Sequence, residues 1–256
     1  TVDTEKAGDG EDVVSILDMK ADLDDKILKI GEKISIRRFE KVTADVVASY
    51  IHGGGRIGVL VAGNGASDDA AKEALTNIAM QIAAMNPQYI SRDEISADEL
   101  AKMKEITIDS ALNDPFSLPK PVLSKLIEKA VAGVWSAEDV AIYEEKKSNM
   151  NFLPNFLSKE AKAQLAEIAC ADKEEISGNK IFSGLVEGRI SKQMKEICLL
   201  DQVYVKAEDG KQTVAAYLKS VNPALKIAKF VRFEVGEGME KKNEDFAAEV
   251  AKQMNV

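Results

Sequence analysis

The residue types able to do chemistry are few and poorly grouped. His52 is the single histidine, so a multi-histidine metal site is excluded and a Ser-His-Asp triad would have to be built on this one residue. No Gly-x-Ser-x-Gly element accompanies it. Two readings of His52 stay open: a turn histidine beside Gly53, Gly54 and Gly55, or a loop whose missing Cβ atoms let backbone approach a partner closely. Neither Gly53-Gly54-Gly55 nor Gly236-Glu237-Gly238 ends in the Gly-Lys-Ser/Thr of a nucleotide loop, and Glu237 stands where an anion would bind. Gly55-Arg56-Ile57-Gly58 precedes a strand pattern, whereas the dinucleotide fingerprint follows one. Asp24-Asp25, Asp68-Asp69 and Glu244-Asp245 fall at helix starts or surfaces and read as solvation or dipole capping. Cys198 lies in the apolar run Ile197-Cys198-Leu199-Leu200 and reads as a buried small hydrophobe. The motifs thus point to no active site, no cofactor and no metal.

Composition narrows the classes further. The chain has 256 residues, 45% hydrophobic and 30% charged, with a net charge of -9 and a mean hydropathy of -0.16. An acidic surface repels phosphate backbones, so nucleic acid is not expected as a partner. No run approaches the ~18 apolar residues of a membrane helix, and no membrane partner is expected. Two cysteines, Cys170 and Cys198, cannot make a disulfide framework and fit reduced thiols in a cytoplasmic protein.

The elements that must carry these residues are mixed. Val14 to Ile30 reads as a helix stopped at Gly31, and Lys33 to Phe39 alternates with the period of a half-buried strand. Val46 to Ile51 and Arg56 to Ala62 flank the glycines as a hairpin. A helix capped at Ser67 ends at Asn86-Pro87, and Ser96 with Glu99 forms a capping box for the next. Prolines 115, 119, 121 and 154 divide a mainly helical stretch: Val122 to Val134, Ala137 to Lys147, Ser158 to Ala171 and Glu174 to Lys195. Strand character returns at Val203 to Val205 and at Lys229 to Val235, with Val231, Phe233 and Val235 as the apolar face. Thr213 to Ser220 is a short helix between them, and a last amphipathic helix carries Phe246, Val250 and Met254.

A set of segments resembles the elongation factor Ts family. Lys29-Ile30-Gly31-Glu32-Lys33-Ile34-Ser35-Ile36-Arg37-Arg38 carries the resemblance first. Then come Ser49-Tyr50-Ile51-His52-Gly53 with Arg56 to Val61, and Ile78 to Ala84. Val186-Glu187-Gly188-Arg189, Phe230 to Gly238 and Asp245 to Ala251 follow in the same order. The resemblance implies an α+β fold: two small antiparallel-sheet subdomains with helices, an inserted helical hairpin or lobe, and a C-terminal helix module. Its boundaries fall at 1–45 for the N-terminal core subdomain, 46–113 with 181–238 for the C-terminal one, 114–180 for the insertion and 239–256 for the module. It implies a guanine nucleotide exchange factor without bond chemistry, whose partner is elongation factor Tu; a homodimer stays open. The implied partner contacts are Ile30, Gly31, His52, Val205 and the arm bearing Phe246. The family's early helical domain and Thr-Asp-Phe-Val segment have no counterpart in these residues. The alternative implied is therefore a binding or scaffold protein on the same fold, without exchange activity.

Overall fold

The computed structural model describes residues 10–36 and 38–238. The chain divides into two compact units, 1–43 and 44–256.

In the first unit, α1 (Gly10–Ile30) ends where the backbone turns left-handed at Gly31 (φ +77°). The Gly31 N–H still donates to the Ile27 carbonyl at 2.8 Å, closing the last turn. Lys29 pairs with Asp25 one turn back at 2.5 Å, a cation placed at the helix's negative end. The strand expected over Lys33 to Phe39 is not formed: the described residues there have no regular secondary structure. Alternation marks one apolar edge of a chain, but a strand also needs a neighbouring strand to take its N–H and C=O groups, and among the described residues the one sheet does not include this segment. Among the described residues the α+β class therefore rests on a single three-stranded sheet.

That sheet belongs to the second unit. β1 (Val46–His52) and β2 (Ile57–Asn64) form the expected hairpin around the glycine turn, with Val46 opposite Gly63 and His52 opposite Ile57. β3 (Lys226–Glu234) joins the free side of β2 antiparallel, so the order is β1-β2-β3. α2 (Asp69–Met85) covers one face. Leu75, Ile78 and Ile82 of this helix pack with Val46, Ala48, Val59 and Val61 of the hairpin in one buried core. Its cap is Asp68 rather than the expected Ser67: the Asp68 carboxylate accepts from the Ala71 N–H at 2.7 Å. Asn86, in the left-handed conformation, ends it as expected.

The register of β3 corrects one expectation. Phe230 lies opposite Val61 and so shares the α2-covered face, against which Ile227 also packs. Val231 lies opposite Leu60 and Phe233 opposite Gly58, on the other face, and Val235 is exposed. A side-chain period of two makes the choice of face depend on a single residue of register, which is set here across the whole intervening chain. The strand expected at Val203 to Val205 reduces to one bridge between Val203 and Thr213.

The middle of the chain is helical. α3 (Ala97–Asn113) opens on the expected capping box, Ser96 Oγ accepting from the Glu99 N–H and the Glu99 carboxylate from the Ser96 N–H. α4 (Lys120–Gly133), α5 (Ala137–Lys146) and α6 (Lys159–Ala171) follow. The expected helix Glu174 to Lys195 is two helices, α7 (Lys173–Ser177) and α8 (Lys180–Ile197). Asn179 breaks it by turning its side-chain oxygen onto the Ile181 and Phe182 N–H groups. Together these helices enclose a second core around Leu112, Ile127, Leu153, Leu165 and Phe182. It draws Ile108, Ala111 and Leu112 from before residue 114, and Phe182 and Val186 from after 180.

One buried carboxylate joins two helix starts in this lobe. Asp139 accepts from the Ser158 N–H at 2.9 Å and from the Ser136 and Ser158 hydroxyls at 2.8 and 3.0 Å. Ser136 and Ser158 are the caps of α5 and α6. The Ser158 N–H, helped by the hydroxyls, holds the Asp139 carboxyl below the usual carboxylate range against its desolvation. Nearby, Trp135 Nε1 donates to the Ala161 carbonyl at 2.9 Å. α9 (Val214–Val221) then returns the chain to the sheet core through Val214 and Leu218.

Candidate partner-binding site

Three of the residues expected to meet a partner, Ile30, Gly31 and His52, lie at the ends of elements. Ile30 and Gly31 stand at the C-terminus of α1 in the first unit; Ile30 is 60% exposed. His52 closes β1 in the second unit and is exposed at the tip of the hairpin. The Tyr50 hydroxyl lies 3.0 Å from His52 Nδ1 and donates to it when the ring proton sits on Nε2. Their rings stand 5.9 Å apart at 39°. Tyr50, which packs against the sheet core, thus orients an imidazole that the glycine turn leaves open to solvent. Phe246 lies outside the described residues.

Val205 opens a turn, in which the Ala207 N–H donates to the Tyr204 carbonyl at 2.9 Å, at the end of a short segment held against α2. Gln202 and Tyr204 point inward and are buried, while Val203 and Val205 point outward, each 48% exposed. Tyr204 stacks on Tyr217 of α9 with ring centres 4.0 Å apart, and burial pushes its phenol above the usual range, with the Tyr217 hydroxyl adding to the shift. α2 supplies the polar anchors. Gln81, fully buried, donates to Gln202 Oε1 and to the Val203 carbonyl, both at 3.1 Å, and accepts from the Val205 N–H at 2.7 Å. One turn earlier Asn77 accepts from Lys206 Nζ at 2.7 Å and donates to the Tyr217 hydroxyl at 3.0 Å.

Sequence reasoning missed Gln81 and Asn77. The available signal is their spacing of four on α2, polar beside the core residues Ile78 and Ile82.

The described residues contain no group of three or more His, Cys, Asp or Glu side chains able to hold a metal. Cys198 is buried, which pushes its thiol up and away from the reactive thiolate. Asp25 is engaged by Lys29 and Asp68 by the α2 cap. No helix among the described residues is long and apolar enough to cross a membrane.

Comparisons with known proteins place these positions in a family. The family model described as Elongation factor TS matches residues 7–146 and 148–237, running through the helical lobe as well as the sheet. Elongation factor Ts of Clostridioides difficile (strain 630) is 36% identical over 260 residues, covering 97% of this chain and 66% of that protein. Elongation factor Ts of Clostridium botulinum (strain Eklund 17B / Type B) is 36% identical over 235 residues, 89% of this chain and 57% of that protein. That of Halothermothrix orenii is 35% identical over 239 residues, 93% and 58%. The chain thus spans 57% to 66% of the length of these relatives. With the profile matched over almost all of its length, and with relatives of this identity, the chain belongs to the elongation factor Ts family.

Proposed function

We propose that the chain is a guanine nucleotide exchange factor of translation elongation that promotes release of GDP from elongation factor Tu in the cytoplasm. The observation that supports this most is where the implied contacts stand. Ile30, Gly31 and His52 are exposed at element ends and Val205 is exposed on a turn, and none is consumed by a core. Exposed contacts of this kind, in each unit by itself, can grip a protein without bond chemistry. Exchange then follows from linkage: a factor that binds the nucleotide-free partner more tightly than the GDP-bound partner lowers the partner's affinity for GDP by the same factor. Rigid presentation favours this, because a contact already ordered costs less entropy on binding. Family membership supports the partner.

His52→Ala tests the reading at one residue. The side chain is exposed, so stability should change by no more than about 0.5 kcal/mol. Affinity for elongation factor Tu should fall about tenfold, as for truncation of an aromatic contact. Titration calorimetry giving an unchanged affinity contradicts the assignment and makes His52 a turn residue.

A further inference from the structure

We infer that Gln81 is a positioning residue for partner binding, and that it presents Val203 together with Val205 as a two-valine ledge to elongation factor Tu. The inference rests on the proposed function and extends it to two residues that carry no implied role. The segment Gln202 to Val205 alternates: Gln202 and Tyr204 are buried, Val203 and Val205 exposed. Both valines flank the buried Tyr204 and are exposed, so the two form one apolar step beside it. Strand pairing holds only the first part of this step: around the Val203–Thr213 bridge the Val214 N–H donates to the Gln202 carbonyl at 3.0 Å and the Tyr204 N–H to the Gln212 carbonyl at 2.8 Å, and the bridge does not extend to Val205.

One side chain extends the hold to Val205. Gln81 spends its amide on Gln202 Oε1, the Val203 carbonyl and the Val205 N–H, so it fixes the backbone on both sides of Tyr204. Gln202 is fixed in turn by donating from Nε2 to the Glu196 carbonyl at 2.7 Å. A glutamine inside an apolar helix face is costly unless every group is met, and here its oxygen and its nitrogen are both engaged. The arrangement buys no core packing that leucine could not supply. What it supplies is the direction in which two exposed valines face, continuous with the contact implied at Val205.

The test is a cycle of four proteins: the unaltered chain, Gln81→Met, the pair Val203→Ala with Val205→Ala, and the combination. Each is titrated with nucleotide-free elongation factor Tu and melted alone. Gln81→Met is expected to weaken binding about tenfold in the unaltered background and less than about twofold once the valines are gone, because it acts through them. Its effect on the melting temperature should be the same in both backgrounds. Val203→Ala by itself, an exposed truncation that leaves folding intact, should weaken binding several-fold with melting unchanged. An equal binding loss from Gln81→Met in both backgrounds, or full affinity for Val203→Ala, overturns the inference while leaving the proposed function standing. Absence of binding by the unaltered chain overturns both.

Discussion

Replacing Gly65 with alanine should destabilise the second unit by about 3 kcal/mol or more, combining backbone strain with overpacking. Gly65 follows β2 with φ +92°, a conformation that side chains with a Cβ rarely adopt. An added Cβ would also sit 2.1 Å from the Ala224 carbonyl oxygen and 2.9 Å from its carbon. Both are backbone atoms of the turn that leads from α9 into β3, so no flexible side chain can yield. The Gly65 N–H donates to the Asp45 carboxylate at 2.8 Å, which pins the other side of the loop. Relief therefore requires moving the β3 entry away from Asn64, its partner through Lys226, and opening that end of the sheet. Gly58→Ala is the matched control. Its Cβ meets nothing within 4 Å, and the expected change is about 0.5 kcal/mol or less. Urea unfolding of both variants checks this, and a Gly65→Ala loss as small as the control's contradicts the close approach.

Phe182→Ala should cost about 3–5 kcal/mol in the helical lobe, the usual range for an emptied aromatic site in a core. Phe182 is 1% exposed, in the first turn of α8 just after the Asn179 cap. It belongs to the core that also holds Leu112, Ile127 and Leu165. That core shares no buried residue with the one beneath the sheet. The losses from Phe182→Ala and Gly65→Ala should accordingly add, as they do for sites without common neighbours. Denaturant midpoints of the two single variants and the double variant measure this. A double variant no worse than either single one contradicts the separation of the two cores.

Local signals in the sequence were good guides where the deciding interaction is local. The capping box at Ser96, the stop at Asn86 and the hairpin around Gly53 to Gly55 each depend on residues within a few positions, and each stands as expected. Lys33 to Phe39 and Val203 to Val205 show the limit. The first alternates like a strand and the second is built of strand-forming residues, but whether a neighbouring strand exists is decided elsewhere in the chain. The face chosen by β3 is a long-range outcome too, since one residue of register against β2 exchanges Phe230 for Val231. The resemblance put the edges of the lobe at 114 and 180, whereas the core around Leu112, Ile127 and Phe182 takes apolar residues of α3 and α8 that lie beyond them. At the candidate site, residue chemistry alone left His52 between two readings, and the resemblance singled it out. Gln81 escaped notice because a glutamine among alanines and isoleucines gives no sign of what it will face across 120 residues of chain.

The central claim is tested most directly by stopped-flow release of fluorescent GDP from elongation factor Tu at fixed magnesium, with the chain in increasing excess. The account predicts a release rate that climbs with the concentration of chain and reaches at least about tenfold over the spontaneous rate, a barrier lowered by ~1.4 kcal/mol. A rate that stays at the spontaneous value while calorimetry shows the partner saturated contradicts it.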